Sequence, residues 1–357
     1  MPVTLKDIAE KTGVSASVVS TVLSGRDNGT FVSEGTRRKV LLVAEQLHYT
    51  PVRAGRPRGS RRLRRQHTEQ FIGVWDADYN PGSAYLVQNL QVALRDYARE
   101  QGEEAVDDFG LRLLTSDDLP RLDALGIMGI ILLSSLPLPR EAATAGTPCV
   151  MVGELDNPPR DFIQVHADNV AAGALLGEYL WSLGHRQITF LAPNATPRVT
   201  GHRLTGLRDV WTRNAGEADQ VTHYPYDTLK TLGEREQVRR VVLQLFGPDA
   251  SAENRPTALV CSDENVAAVA AQTVAEIGQR VPQDVSLTAF GDTPRLAEAL
   301  TPPLTVIRFP VAALAKAAIA ALYELHDAET PEAVTERDHS LPVQLITRTS
   351  CSSPRLP

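Results

Sequence analysis

The sequence predicts an all-α helix-turn-helix head followed by an α/β body of two doubly wound parallel-sheet subdomains. Two observations support this fold class. Two short helical periods meet at a glycine within residues 4–23, and a strand, loop and helix alternation recurs from residue 71 onward. With 357 residues the chain is also too long for one ordinary domain, so two or three hydrophobic cores are expected.

The first element is a pair of short helices joined by a tight turn. Leu5 and Ile8 repeat at helical spacing, Gly13 interrupts the pattern, and a second apolar period begins after Ser15. Thr4 and Ser15 carry the side-chain oxygens that typically cap a first helical turn. In a helix-turn-helix, the second helix enters the DNA major groove. Taken alone, the same pattern is equally compatible with part of a helical core.

A third helix follows a glycine-rich loop. Ser33 is its expected N-cap, and an apolar stripe predicts which face packs on the first two helices. The stripe consists of Val40, Val43, Ala44 and Leu47. Arg37 lies on the opposite side, where either a phosphate contact or a solvated surface explains it.

The charge is distributed unevenly along the chain. Residues 1–67 hold 13 Lys and Arg against 5 Asp and Glu, which leaves 23 and 38 for the remainder. Seven arginines are interspersed with Gly and Pro within 53–65, a composition typical of a polycationic linker. The basic head is therefore suited to bind a polyanion that the acidic body would repel.

Short apolar runs of the buried-strand type recur in the body. They are 71–75, 129–133, 148–152, 188–192, 258–261 and 285–290. Their alternation with helices predicts parallel sheets covered on both faces, whose ligands bind beyond the carboxyl ends of the strands. A further strand is expected between 103 and 126, where a polar segment at 103–108 and an apolar one at 111–114 remain alternatives.

Several classes of function are not expected. Cys149, Cys261 and Cys351 are far apart and in no ligand spacing, which argues against a disulfide framework and a zinc site. No apolar run approaches the roughly 20 residues that span a bilayer, and the N-terminus resembles no export signal, so a soluble cytoplasmic protein without a membrane partner is expected. Nucleophile-elbow, dinucleotide and phosphate-loop motifs are missing from the sequence, so we expect neither an enzyme nor a cofactor.

Several short motifs follow one another in a fixed order. In the head they are Leu5–Ala9, Gly13–Ser15, Val32–Arg37 and Tyr49–Pro51. In the body they are Ile72–Val74, Asn80–Pro81, Asp168–Asn169, Gly184–Arg186, Arg203–Gly206, Val281–Ser286 and Thr301–Thr305. Each is weak alone, but their number, order and spacing resemble the LacI family of bacterial transcription repressors over nearly the whole chain.

The resemblance implies a domain layout. A helix-turn-helix DNA-binding domain would span 1–50, a hinge 51–70, an effector-binding and dimerisation body 71–347, and a C-terminal tail 348–357. The body would be similar to periplasmic sugar-binding proteins, with three crossings between its subdomains. One subdomain is placed at about 71–166 plus 295–323, and the other at about 167–294 plus 324–347.

The resemblance also implies partners: a second copy of the chain in a homodimer, a near-palindromic double-stranded DNA operator, and a small-molecule effector. The candidate DNA-contacting residues are Thr4, Ser15, Ala16, Ser17, Val18, Ser20, Thr21, Arg37, Tyr49, Arg53, Arg56 and Arg58. The positions that usually read bases hold short side chains, so modest specificity is expected. Pro57 and Arg58 stand where the family has a hinge helix with a wedging leucine, so cationic minor-groove contacts are our hypothesis there.

Candidate effector-binding residues lie after the predicted strands. They are Ser83, Tyr85, Ser134, Arg198, Arg203, Tyr226, Asp263 and Asp292, and Gln164 is a further candidate. Arg203 suits oxygen ligands, with a structural ion pair as the alternative. Gly291 and Ser262 replace a family aspartate and asparagine, so the effector could be a sugar or another, even anionic, metabolite, and the response could be lost altogether. The alternative function is a solute-binding or sensor protein without DNA readout.

Overall fold

The structure is a computed structural model. It describes residues 5–16, 18–19, 22, 32–46, 70–76, 81–101, 109–122, 124–133, 147–155, 158–159, 162–194, 197–215, 220–226, 233–251, 255–328, 330 and 333–354. The chain forms two compact units, Met1–Gln66 and His67–Pro357. The division supports the prediction of a separate N-terminal head.

The described helices and strands follow the alternation that the sequence predicts. The helices are α1 (Leu5–Thr12), α2 (Glu34–Gln46), α3 (Pro81–Glu100), α4 (Asn169–Ser182), α5 (Pro197–Ala215), α6 (Glu234–Phe246), α7 (Glu264–Glu276), α8 (Leu296–Ala299) and α9 (Val311–Asp327). The strands are β1 (Gln70–Trp75), β2 (Phe109–Leu114), β3 (Ile127–Leu132), β4 (Cys149–Val152), β5 (Phe162–Ala167), β6 (Ile188–Pro193), β7 (Val221–Tyr226), β8 (Ala258–Cys261), β9 (Ser286–Phe290), β10 (Thr305–Arg308), β11 (Asp338–Leu341) and β12 (Gln344–Ile346).

The head has the predicted turn between its first two helical segments. α1 ends at Gly13, whose amide donates to Ala9 O at 2.9 Å and whose φ of 69° lies in the left-handed region that favours glycine. Residues 16, 18, 19 and 22 are helical. Ser15 Oγ accepts a hydrogen bond from Val18 N at 3.3 Å, which confirms the expected cap.

α2 closes the small core of the head. Ser33 Oγ accepts from Thr36 N at 3.2 Å and so caps α2, as predicted. The buried core residues are Ile8, Val19, Val22, Val40 and Ala44. This set joins the apolar stripes of all three helical segments, and Val43 packs against it as expected, whereas Leu47 lies outside the described residues.

The body contains two six-stranded sheets within its described residues. The first sheet has the order β11-β5-β4-β3-β1-β2, and all of its strand pairs are parallel. The second sheet has the order β12-β10-β9-β8-β6-β7, and only β12 is antiparallel to its neighbour. The prediction of two doubly wound parallel-sheet subdomains is therefore confirmed. In both sheets the order reverses beside the first strand, where such folds bind ligands.

Alternate strand residues pack on opposite faces of each sheet. In the first sheet, Ile131 packs with α3 and α9, whereas Ile130 packs with Leu119 and Leu122, which lie in and just after a short 3-10 helix. The second sheet buries one face against α6 and α7 and the other against α4 and α5. These cores hold the carboxyl ends of the strands in fixed positions.

The chain crosses between the sheets three times, as expected, but two crossings lie later than predicted. The first falls between β5 and α4, near the predicted boundary at 166. The others lie between 308 and 311 and between 341 and 344, because β10 pairs with β9 and β11 pairs with β5. The predicted assignment of 295–308 to the first subdomain and of 324–341 to the second is therefore wrong.

Two further expectations are settled, one by strand pairing and one by hydrogen bonds of a buried serine. β2 contains the apolar alternative 111–114 and pairs with β1, while residues 103–108 lie outside the described residues. The predicted tail is part of the second subdomain up to residue 354, because the Ser350 hydroxyl, which is fully buried, donates to Leu287 O at 2.6 Å and accepts from Thr305 N at 2.8 Å. In the described ranges, no helix is both long and apolar enough to cross a bilayer.

Two glycines allow α4 and α5 to cross at close range. A Cβ atom at Gly206 would lie 2.0 Å from Val170 O, and one at Gly173 would lie 2.1 Å from Arg203 O. Because these contacts are with backbone atoms, neither helix could accommodate a methyl group without shifting. The crossing fixes Arg203 relative to the first turn of α4.

We expect Gly206→Ala to destabilise the body by about 3 kcal/mol, since overpacking against backbone atoms forces the two helices apart. Gly201→Ala is the matched control, because the same helix offers open space there. It should be neutral or stabilise by up to about 1 kcal/mol through helix propensity. Urea unfolding measures both changes, and equal stabilities of the two variants would contradict the close crossing.

Candidate functional site

The first candidate site is the surface of the helix-turn-helix. Ser15 and Arg37 are exposed, and Ala16 is partly exposed. Val18 packs partly against the head core, so it is a weaker candidate for a DNA contact than predicted. The predicted residues Thr4, Ser17, Ser20, Thr21, Tyr49, Arg53, Arg56 and Arg58 lie outside the described residues.

The second candidate site is the place where side chains of the two sheets meet beyond the carboxyl ends of the strands, which we call the junction. A buried carboxylate, Glu154, lies two residues after β4 with 1% of its side chain exposed. Its Oε1 accepts from Asn169 Nδ2 at 3.0 Å, and its Oε2 lies 2.8 Å from His202 Nδ1 and 3.7 Å from Arg198 Nε. Glu154 therefore connects the first sheet to α4 and α5 of the second subdomain.

His166 on β5 completes the environment of Glu154. Its Nδ1 lies 3.1 Å from Glu154 Oε1 and 2.9 Å from Ala167 O, and its Nε2 lies 2.7 Å from Asp338 Oδ1. Both ring nitrogens face oxygens that only accept hydrogen bonds, so the geometry requires the imidazolium form.

The pKa values of this pair follow from the same contacts. Burial opposes the charge on Glu154, but hydrogen bonds from His166 and Asn169 and the charges of His166 and His202 outweigh it and lower the pKa to about 2. Burial also opposes protonation of His166, yet its bonds to Glu154, Ala167 O and Asp338 raise the pKa to about 9. The pair is ionised at neutral pH.

Arg203 on α5 extends the network into the second sheet. Its Nε donates to Asn169 Oδ1 at 2.8 Å, and its Nη1 donates to Ser262 O at 3.0 Å. The guanidinium carbon lies 4.4 Å from the ring centre of Phe290 and 5.3 Å from that of Phe309. Arg203 is thus held by hydrogen bonds and stacking, and within the described residues it forms no direct ion pair, which was the alternative for this residue.

The remaining donors of Arg203 are not taken up by the residues that the structure describes. Among the described residues, none accepts a hydrogen bond from its Nη2, and the side chain is partly exposed. Burial lowers the pKa of Arg203 to about 10, against the opposing charges of Asp263, Glu154 and Glu264. The guanidinium therefore stays charged at neutral pH and can donate to an oxygen of a bound molecule.

Tyr226, a candidate effector-binding residue, instead belongs to the core. It is the last residue of β7 and 3% exposed, and its hydroxyl lies 3.0 Å from Ser262 Oγ. Ser262 Oγ donates to Asp263 Oδ2 at 3.0 Å. Burial raises the pKa of Tyr226, so the hydroxyl remains neutral. Tyr226 is therefore a packing residue of the second sheet.

Two predicted carboxylates have structural partners. Asp263 Oδ1 accepts from Asn265 N and Val266 N and caps α7. Asp292, predicted to accept effector hydroxyls, is 6% exposed and is paired with Arg308 at 2.5 Å and with Arg348 at 3.1 Å. The two arginines occupy the oxygens of Asp292, so the structure does not favour its predicted role.

The other predicted residues lie in regular elements and not in loops. Ser83 and Tyr85 are in the first turns of α3, and Arg198 is in the first turn of α5. Gln164 lies within β5, where its Oε1 accepts from Leu155 N at 2.6 Å, so it supports the chain beside Glu154. Ser134 lies outside the described residues.

Several junction residues were not predicted from the sequence. Glu154, His166, His202 and Glu264 are not among the candidate residues predicted from the sequence. Asp168, from the Asp168–Asn169 motif, caps α4, since it accepts from Ala171 N at 2.9 Å. In the sequence, the feature that could have indicated Glu154 is an acidic residue two positions after an apolar run.

His185 has a structural role. Its amide donates to Leu180 O at 3.1 Å and closes α4. Its ring is fully buried and lies 2.8 Å from Thr257 Oγ1 and 3.0 Å from Ser286 Oγ, where burial lowers the pKa to about 4. Within the described residues, no cluster of His, Cys, Asp or Glu could hold a metal ion.

Comparisons with known proteins agree with both units of the chain. The family model for bacterial regulatory proteins of the lacI family matches residues 4–52, and a model for a periplasmic binding protein-like domain matches 178–351. The HTH-type transcriptional regulator MalR of Streptomyces coelicolor is 30% identical over 341 residues, which cover 91% of this chain and 90% of the relative.

Solved structures share the fold. A LacI family transcriptional regulator from Enterococcus faecium with bound ribose has a TM-score of 0.63 at 20% identity and covers 80% of this chain and 100% of its own. The lac repressor dimer bound to operator and the anti-inducer ONPF has a TM-score of 0.58 at 22% identity, with 99% and 100% covered. The fold of the chain is therefore that of this group of regulators.

The Glu154–His166 pair predicts a pH dependence of stability. His166 has a raised folded pKa, so its contribution is complete below pH 6.5 and is lost as the pH rises through about 9. Glu154 has a lowered folded pKa, so its contribution is complete above pH 4.5 and is lost as the pH falls through about 2. We expect His166→Gln to cost about 3 kcal/mol at pH 6.

Thermal unfolding of the wild type and His166→Gln between pH 5 and pH 10 measures this effect. The difference in Tm should be largest below pH 6.5 and should shrink toward zero above pH 9. His326→Gln is the control, since His326 is exposed and lies beside Asp327 alone among the described carboxylates. A Tm difference independent of pH would contradict the ion pair.

Proposed function

This chain belongs to the LacI family of bacterial regulatory proteins, and from that premise we propose that it is a dimeric transcriptional repressor controlled by a small effector. It binds DNA through its helix-turn-helix and regulates transcription, as the members of this family do. The observation that carries the proposal is the Gly13 turn between α1 and a Ser15-capped helix, in a head with an excess of basic residues.

The proposed operator is a near-palindromic duplex read by two heads. Two copies of the chain bring two helix-turn-helix units to adjacent half-sites, which raises affinity through effective concentration. The lac repressor structure, a dimer on its operator, supports this arrangement. Val92 on α3 and Leu113 on β2 are exposed hydrophobic side chains, which suits a subunit interface on this edge of the first sheet.

The proposed effector binds at the junction. Arg203 offers the Nη2 donors, and the bridge through Asn169 and Glu154 joins the two subdomains around it. An effector that binds one arrangement of the two subdomains more tightly would shift the body toward that arrangement. This shift would change the affinity of the heads for the operator. Ribose in the related structure makes sugars the first compounds to test.

A gel-shift assay with the full chain tests the DNA-binding part. Operator sequences are first selected from a random duplex pool by the protein itself, and the apparent Kd is then measured at increasing salt. We expect sequence-selective retention at ~0.15 M salt. No selective retention would favour the alternative of a solute-binding or sensor protein.

The hinge arginines give this assay a sharper form. Arg56→Ala/Arg58→Ala should weaken operator binding and reduce the slope of log K against log salt by about 2, since each phosphate-neutralising cation adds roughly one unit. Arg213→Ala/Arg240→Ala removes the same charge from exposed positions of the body and should leave the slope unchanged. An equal slope in the wild type and the hinge variant would rule out the proposed cationic contacts.

A further inference from the structure

The strongest unexplained feature of the junction is the carboxylate of Glu264, the first residue of α7. The side chain is 4% exposed, and its Oε1 accepts a hydrogen bond from Thr293 N at 2.6 Å. Among the described residues, none donates to its Oε2 or forms an ion pair with it. A carboxylate oxygen that receives no hydrogen bond from the described residues is suited to accept one from a water or a ligand.

Gly291 provides the space that this carboxylate occupies. A Cβ atom at Gly291 would lie 2.2 Å from Glu264 Oε2, so any side chain there would displace the carboxylate. The φ of Gly291 is 98°, and its amide donates to Ile307 O at 2.8 Å, which fixes the backbone after β9. Helix α7 therefore places the acidic side chain of Glu264 beside the end of β9, where Gly291 has no side chain of its own.

Glu264 and Arg203 carry complementary hydrogen-bonding groups that are not paired with any described residue. Arg203 Nη2 carries N–H donors without an acceptor among the described residues, and Glu264 Oε2 is an acceptor without a donor among them. The charge of Glu264 acts on Arg203, as do those of Asp263 and Glu154. A hydroxyl group can accept from the arginine and donate to the carboxylate, whereas a carboxylate or phosphate could only accept.

We propose that Glu264 is an effector-binding residue that, with Arg203, recognises a hydroxyl group of a neutral polyhydroxy compound. The inference rests on the proposed effector site at the junction. An anionic effector at Arg203 would lie in the field of Asp263 and Glu264 and would leave Oε2 without a donor. The pair therefore selects against the anionic alternative that the sequence left open.

The test begins with a thermal-shift screen of the full chain against matched probes. They are ribose and ribose 5-phosphate, glucose and glucose 6-phosphate, galactose and galacturonate, and cellobiose. The neutral member of a pair should stabilise the protein more than its anionic counterpart. A stronger response to the anionic members, or no response to any neutral one, would overturn the proposal.

Calorimetric titration of the best neutral probe then isolates Glu264. Glu264→Gln keeps the acceptor for Thr293 N but replaces Oε2 by an amide donor, and it should weaken binding about 10- to 100-fold. Glu276→Gln makes the same charge change at an exposed site of the same helix and should bind as the wild type does. Equal affinities of wild type and Glu264→Gln would refute the assignment.

A double-mutant cycle separates the contact from general damage. Gly291→Ala should weaken binding in the wild-type background by displacing the Glu264 carboxylate, and it should weaken binding less in the Glu264→Ala background, where only the backbone strain at a φ of 98° remains. Additive losses would show that Gly291 acts independently of Glu264 and would contradict the proposal. DNA binding is assayed separately. If polyol binding depends on Glu264 but the protein retains no operator, the repressor function is rejected and the effector assignment stands.

Discussion

The structure of the body depends on a short chain of buried hydrogen bonds that joins Glu154, Asn169 and Arg203. A carboxylate with 1% of its side chain exposed requires partners, and those of Glu154 come from both subdomains. Asn169 is the link, because its amide nitrogen donates to Glu154 and its amide oxygen accepts from Arg203. The relation between the two sheets and the orientation of the Arg203 guanidinium are therefore set by the same residues.

Much of the fold could be predicted from the sequence because buried parallel strands are continuous apolar runs. β1, β3, β4, β6, β8 and β9 were predicted in this way. β11 and β12 have exposed or partly buried residues and weak apolar character, so no local pattern distinguishes them from loops. The late crossings follow from this, because β11 returns the chain to the first sheet after α9.

The site was less predictable, because its residues are distant in sequence and are joined by the fold. Arg203 was identified by its motif, and the caps at Ser15 and Ser33 followed from local chemistry. Asp292 was predicted to bind effector, but it pairs with Arg348 from a segment expected to be a tail. No sequence pattern shows that Glu264 fills the space beside Gly291, since 27 residues separate them along the chain.

The most direct test of the coupling is the ratio of operator Kd values with and without saturating effector, measured in the wild type and in Asn169→Asp. The substitution keeps the acceptor for Arg203 but sets a carboxylate against Glu154, so it breaks the bridge on one side only. We expect a wild-type ratio of about 5- to 150-fold and a variant ratio near one, with operator and effector each still bound. A variant that keeps the wild-type ratio would show that the bridge does not transmit the effector signal.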